Sequence, residues 1–451
     1  MDSIGLRGKW WLKGMRADDE IVPDAATAGT LSFSPKEGGE LELIGSFHST
    51  FERLDEESDT EDGPVTIHGV STEGEYISIL NCMYTGESMS SKDVSFTTET
   101  YQVGTIIRGA LVDPTSKYWK CTFSFDNLDK WTGIRRVHTP GDGPMNFGPA
   151  LSDSLSTDEE DIILNLHEDN KAAIEGKLGR VYFTVFPEEP LTFDEFSSQY
   201  IRPLQNLITL GVGEAVFPTF VNLFSERFGH PDSKHSVHWQ VPYYREQDDV
   251  NQMQMNFTLQ DISFEEVVVQ WLESESSVSR LHDHYFGTRY NDSMYVNTQF
   301  MSMMFALEAY HRRKFPDRQK IMSKKVYKRF RDVTLERMPK VAAWDRAEGL
   351  FNSIVNEPSI GDRLIDITEQ HEEMFPESYD IDSNLSTIKN VRHTIAHSLP
   401  EDLSTTDIVR AEILVRIIVL AVLLDTAGVD EEKGREILAD EYSSVERIVE
   451  V

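Results

Sequence analysis

The sequence predicts an α+β protein, a β-rich N-terminal domain followed by an all-α helical-bundle C-terminal domain. Up to about residue 190, apolar residues fall in short alternating or continuous runs between turn formers, the pattern of strands. From Ser263 onward they recur at helical spacing, and Gly, Pro or Asn separates several of the runs. The 451 residues suffice for two large domains or three ordinary ones, and 39% hydrophobic residues can build real cores. These patterns place the domains at 1–290 and 291–451, with 263–286 as a helical bridge belonging to the first.

In chain order, Gly8-Lys9-Trp10-Trp11-Leu12 opens a set of turn-rich strands. Runs at 40–46, 65–70, 76–83, 101–112, 117–125 and 180–187 are punctuated by Gly38-Gly39, Gly63-Pro64, Glu73-Gly74 and Pro140-Gly141-Asp142-Gly143. The acidic stretch 55–62 and the segment Ser152 through Asp161 are expected loops, because like charges at that density do not pack. Trp10, Trp11, Trp119 and Trp131 are expected in the β core. Phe193, Phe196, Tyr200, Leu204 and Leu207 then predict a helix started by Thr192 and Asp194 and ended by Gly211. More sheet is expected at 216–221 and 236–244. Helices follow at 263–274, 295–315, 320–336, 340–355, 361–373, 384–398 and 404–427.

The formal charge is −34, with acidity spread along the chain, as a protein of a high-salt cytoplasm would show. Such a field repels nucleic acid, so any site for it must be locally basic. One segment is. From His311 to Lys340 twelve Lys or Arg face three acids, a net of +9 that leaves −43 on the remainder. The other use of this island is to pair with the acidic N-terminal domain. Cys82 and Cys121 offer neither metal spacing nor a disulfide framework, which fits a reducing cytoplasm. Met1-Asp2-Ser3-Ile4-Gly5 lacks the basic start and apolar run of a signal peptide. The apolar run 413–424 is too short to span a bilayer and holds Arg416, so no membrane partner is expected.

The most informative stretch is Lys389-Asn390-Val391-Arg392-His393-Thr394-Ile395-Ala396-His397. Leu385, Ile388, Val391 and Ile395 form one apolar face at helical period, and Pro400 follows. A second helix begins at once, with Ser404 and Asp407 at capping-box spacing and an almost wholly apolar body at 413–424. Imidazole changes charge near neutrality and suits proton transfer. Guanidinium stays charged and matches phosphate oxygens. These residue types suit phosphodiester transfer.

An amphipathic helix carrying Arg-polar-x-x-x-His, followed by a greasy helix, resembles the HEPN domains. With Gly8–Leu12 and the run Phe305-Ala306-Leu307-Glu308-Ala309-Tyr310-His311, most of the chain is similar to the ApeA type of anti-phage HEPN protein. The resemblance implies a metal-independent ribonuclease that attacks through the RNA 2′-hydroxyl and acts by growth arrest. It implies a homodimer in which two such helices share a cleft, with a phage-derived trigger acting at the N-terminal domain. Arg392 and His397 carry over as catalytic residues and His393 as the polar neighbour, where many relatives have Asn. Glu308 could orient a catalytic group, or pair with Arg312 one turn on. Arg312, Arg313, Lys314, Lys324, Lys325, Lys328 and Arg329 are the candidate RNA contacts. HEPN toxins held by a nucleotidyltransferase antitoxin carry Tyr two residues after the His; Leu399 stands there, against that regulation.

Two constraints temper this picture. Five residues on a helix turn through about 140°, so one straight helix does not aim Arg392 and His397 at one phosphate. Either the helix distorts near Pro400 or two copies meet. The alternative function is a non-catalytic HEPN module for dimerisation and nucleotide or RNA binding, beside a partner-recognising β domain. A metal reading is weaker. His393 and His397 have helical zinc spacing, but Thr394 replaces the Glu of H-E-x-x-H, and His282-Asp283-His284 has no second cluster. Gly211-Val212-Gly213 lacks the Lys of a phosphate loop, so neither metal nor cofactor is expected.

Overall fold

The computed structural model describes residues 1–15, 22–47, 63–90, 96–132, 155–156, 162–166, 181–226, 233–245, 250–337, 356–397 and 403–449. The helix expected at 340–355, the acidic stretch 55–62 and the turn at Pro140 lie outside them. The chain divides into two compact units, Met1–Leu272 and Glu273–Val451, the first β-rich and the second helical.

The first unit carries β1 (Ile4–Leu12), β2 (Thr27–Ser34), β3 (Gly38–Ile44), β4 (Val65–Ser71), β5 (Tyr76–Ser90) and β6 (Phe96–Val103). They pair antiparallel in the order β4-β1-β2-β3-β6-β5, and β4 pairs back onto β5, so the six close a barrel without an edge. Inward positions alternate along each strand, and Trp10, Leu31, Phe33, Leu41, Leu43, Ile67, Ile79 and Tyr101 fill the interior. Trp10 lies opposite Gly69, and a Cβ at Gly69 would fall 2.2 Å from the Trp10 ring. The indole occupies the volume that a side chain at 69 would need.

From β5 the sheet continues through β7 (Thr105–Arg108), β8 (Lys120–Phe125), β9 (Leu155–Ser156), β10 (Ile162–Leu166), β11 (Val181–Val185), β12 (Pro218–Phe224) and β13 (Lys234–Trp239). The spatial order is β5-β7-β13-β12-β8-β11-β10-β9. The run expected at 101–112 breaks at Gly104, where a Cβ would meet the Leu80 carbonyl at 2.8 Å. The segment expected as a loop around 152–161 contains β9. Trp10, Trp11 and Trp131 are buried, and Trp119 is half-buried.

Helix α1 (Leu128–Trp131) follows β8, and α2 (Phe193–Phe196) starts at a capping box on Thr192 and Glu195. A π-turn, Ser197–Ile201, leads into α3 (Arg202–Val212). Here the structure corrects the sequence: α3 ends at Gly213 (φ +81°), not Gly211. Gly211 sits inside the helix because a Cβ there would lie 2.2 Å from the Trp131 indole nitrogen.

A long helix, α4 (Phe264–Tyr290), contains the point at which the two units divide. The second unit continues with α5 (Val296–Lys314), α6 (Lys324–Arg337), α7 (Ile360–Gln370), α8 (Ile381–His397), α9 (Thr405–Thr426) and α10 (Glu431–Val449). The capping box at Ser404 and Asp407 forms, and α9 is buried from Ala411 to Leu424 except at Arg416. Helices α5, α8 and α10 pack around it, and α7 packs against α5 and α8. Helix α10 was absent from the expected set because its apolar positions are sparse among charges. Among the described residues no helix is long and apolar enough to cross a membrane.

Candidate functional site

Helix α8 holds the site. Asp380 caps it, accepting the Ser383 amide at 3.1 Å, and Asn384, Leu385, Ile388, Val391 and Thr394 are buried on its inner face. Thr394 turns its hydroxyl back to the Asn390 carbonyl at 3.1 Å and fills the place beside Val391. Ile395, expected on this face, is half-buried. The face sets the directions of the polar residues. Arg392 flanks it, with its side chain 28% exposed, while His393, Ala396 and His397 point outward.

Across the gap to α5, Arg392 Nη2 donates to Glu308 Oε1 at 2.7 Å. Glu308 is 19% exposed, so this is a shielded, charge-assisted hydrogen bond. Arg392 Nε is buried and has no hydrogen-bond partner among the described residues. One turn apart on the outer face, the rings of His393 and His397 lie 4.6 Å centre to centre. The structure thus brings together Arg392 with Glu308, and His393 with His397, as two pairs on different sides of α8. Helix α8 runs unbroken to His397, and Pro400 lies outside the described residues.

Glu308 does not pair with Arg312, as helical spacing alone allowed. Glu308 faces α8, whereas Arg312 is mostly exposed and reaches Glu357 at 3.5 Å. Of the other basic candidates, Arg313 Nη1 donates to Ser279 Oγ at 2.9 Å and Lys314 is exposed at the end of α5. Lys324, Lys325, Lys328 and Arg329 are exposed on α6, without an ion-pair partner among the described residues. His282 packs edge-on against Phe286, while His284 Nδ1 meets Ser302 Oγ at 3.3 Å.

Sequence reasoning missed a second polar cluster in the same unit. His311, fully buried on α5, contacts Asp366 of α7 through Nε2 at 2.8 Å and Arg363 Nη1 through Nδ1 at 3.2 Å. A guanidinium only donates, so Nδ1 accepts and Nε2 carries the hydrogen that bonds Asp366. Arg363 is itself buried and reaches Glu357 at 3.2 Å and Gln319 at 3.3 Å. Burial pushes the Asp366 carboxyl upward, but hydrogen bonds from His311 and Arg318 outweigh it and hold the group below its ordinary range. The cluster ties α5, which carries Glu308, to α7. The partners stand 52 and 55 residues from His311, and no spacing rule links them.

A β-barrel domain joined to a helical bundle, with an Arg-polar-x-x-x-His helix against a buried one, defines a two-domain protein of the HEPN class. Residues 5–271 match ApeA N-terminal domain 1, and residues 301–433 match the Apea-like HEPN family. The chain belongs to the ApeA family of HEPN-domain proteins. Glu308, Arg392, His393, His397 and all of α6 lie within the second span. No curated protein and no solved structure matches the chain.

Proposed function

We propose that the protein is a metal-independent endoribonuclease of anti-phage defence, which arrests growth by cutting RNA through attack of the 2′-hydroxyl. The observation that carries this reading is a guanidinium fixed by Glu308 on a helix that presents two imidazoles to solvent. Arg392 takes the charge that grows on the phosphorane. His397 moves the proton at the 2′-hydroxyl or the leaving 5′-oxygen, His393 supports it by hydrogen bonding, and Glu308 positions Arg392. The basic residues of α5 and α6 supply RNA affinity against an otherwise acidic surface. The N-terminal unit receives a phage-derived trigger, and the setting is the cytoplasm.

The outward direction of His397 and the sideways direction of Arg392 support a homodimer in which two α8 helices complete one cleft. The same divergence favours a second reading, a non-catalytic HEPN module for dimerisation and nucleotide or RNA binding. Purified protein incubated with total RNA in excess chelator separates the two. Cleavage in chelator is the expected result; intact RNA with and without added divalent metal sinks the enzymatic reading. Cleavage that returns only with metal would move the chemistry to another site.

A further inference from the structure

On the outer wall of the barrel, Arg7 and Lys9 of β1 stand beside Ala28 and Thr30 of β2. Ile44 of β3, with Val70 and Thr72 at the end of β4, completes a groove of about 610 Å³, a size within the range of ligand sites. Its floor is closely packed backbone. Gly8 lies opposite Gly29, and a Cβ there would fall 2.4 Å from the Val70 carbonyl oxygen and 2.6 Å from that of Glu42, respectively. Arg7 and Lys9 are exposed, and neither side chain has a hydrogen-bond or ion-pair partner among the described residues. Two other cations of the unit are paired, Lys13 with Asp113 and Arg108 with Glu75. Ile44, 62% exposed, is the open apolar member. We propose that this groove binds an extended acidic segment of a partner protein, with two carboxylates on Arg7 and Lys9 and an apolar side chain against Ile44. The proposal rests on reading the N-terminal unit as the receiver of a trigger, and assigns that trigger its chemistry.

Three physical arguments favour this occupant. Arg7 and Lys9 are alternate residues of one strand, about 6.6 Å apart along it, and alternate side chains of an extended peptide repeat at the same distance. The attraction is also confined. In a chain of −34, two adjacent unpaired cations draw an anion, but Glu40, Glu42 and Glu73 stand exposed around them. A nucleic-acid strand carries charge at every nucleotide and would bring phosphates against those acids, whereas a peptide places carboxylates only where the cations stand. Finally, β1 is paired to β2 and β4, and β2 to β1 and β3, so the groove offers side chains and no free backbone edge. Recognition therefore reads the partner's side chains, and these residues select acidic ones flanking an apolar one.

The test uses the full-length chain. Fluorescence anisotropy measures binding of a labelled peptide of alternating glutamate and valine, the same peptide with glutamine for glutamate, and a deoxythymidine oligomer. The acidic peptide should bind at least about fivefold tighter than the glutamine peptide, and its affinity should fall as salt rises. Arg7→Gln with Lys9→Gln should weaken it by about fivefold or more and remove most of the salt dependence. The melting temperature should not move, because both side chains are exposed. Ile44→Ser should weaken binding with an unchanged salt dependence. Equal affinity for the glutamine peptide, either variant binding as the wild type does, or tighter binding of the oligomer each overturns the proposal. A plaque assay separates it from the reading on which it rests. Peptide binding through the groove, with phage protection by the Arg7 and Lys9 variant equal to that of the wild type, overturns the trigger reading alone. Protection lost in that variant, with no peptide bound by the wild type, overturns the acidic-peptide chemistry alone.

Discussion

Arg392 and Glu308, 84 residues apart in sequence, meet at 2.7 Å between α8 and α5. The contact occupies one N–H at the edge of the guanidinium and anchors the group, as the proposed binding of a phosphate by its remaining N–H groups requires. Glu308→Ala should lower kcat by about 10²-fold, the effect expected when a catalytic group is displaced by about 1 Å. Stability should fall by only about 1–2 kcal/mol, because the pair is partly exposed. Glu308→Gln keeps an acceptor at the same place and should retain more activity than Glu308→Ala. Single-turnover kinetics and urea melts on the three proteins check this; wild-type turnover by Glu308→Ala would reduce the contact to helix packing.

The β-then-α order, the Ser404 capping box and the buried α9 were legible because each rests on local spacing. Arg392, His393 and His397 stood out for the same reason. The Glu308–Arg392 contact was not legible: helical spacing offered Arg312 as an equally good partner, and only the packing of α5 on the bundle decides between them. His311, Asp366 and Arg363 were invisible in the same way, since a buried polar cluster is satisfied by residues from another helix. Strand β2 escaped because only Leu31 and Phe33 mark its inward face among Thr, Ser and Gly.

The two glycines of α3 should respond differently to a methyl group. Gly211→Ala forces a carbon to within 2.2 Å of the Trp131 indole nitrogen and should cost on the order of 3 kcal/mol by overpacking. Gly213→Ala meets the Asn256 side chain only at an ordinary van der Waals distance of 3.5 Å but keeps φ at +81°, and should cost about 1 kcal/mol. Chemical denaturation ranks them. A Gly213→Ala variant less stable than Gly211→Ala would mean that the indole moves aside easily.

Asp126 follows β8, where its carboxylate accepts the Phe217 amide at 3.0 Å. Burial pushes its pKa up to about 6, against the opposing pull of that hydrogen bond. The folded state therefore holds this proton more tightly than the unfolded chain. The resulting stability is full below about pH 4 and is lost as pH rises through about 6. Asp126→Asn keeps an oxygen acceptor and removes the titration. It should melt like the wild type at pH 4 and gain on the order of 2 kcal/mol at pH 7.5. A gain of equal size at both values would show that burial of charge is not its source.

Arg392→Ala and His397→Ala should each lose about 10²–10⁴-fold in cleavage with fold and assembly intact, since Arg392 lies at the margin of α8 and His397 outside its core. Their directions on α8 make the combination more informative than either alone. If one cleft takes its arginine and histidine from both chains, an Arg392→Ala dimer lacks both arginines and a His397→Ala dimer lacks both histidines. A mixed dimer keeps one of each, so mixing two inactive proteins should restore part of the activity. The restored fraction should rise with subunit exchange, after dilution and reconcentration or brief mild denaturant. Products should end in 2′,3′-cyclic phosphate, because the attacking group is the neighbouring 2′-hydroxyl, and DNA should stay intact. A strictly monomeric yet active protein would place Arg392 and His397 of one chain on one phosphate, which demands a bend in α8 beyond the rotation of a regular helix. Fragments ending in 5′-phosphate would instead identify water as the nucleophile and remove the 2′-hydroxyl mechanism altogether.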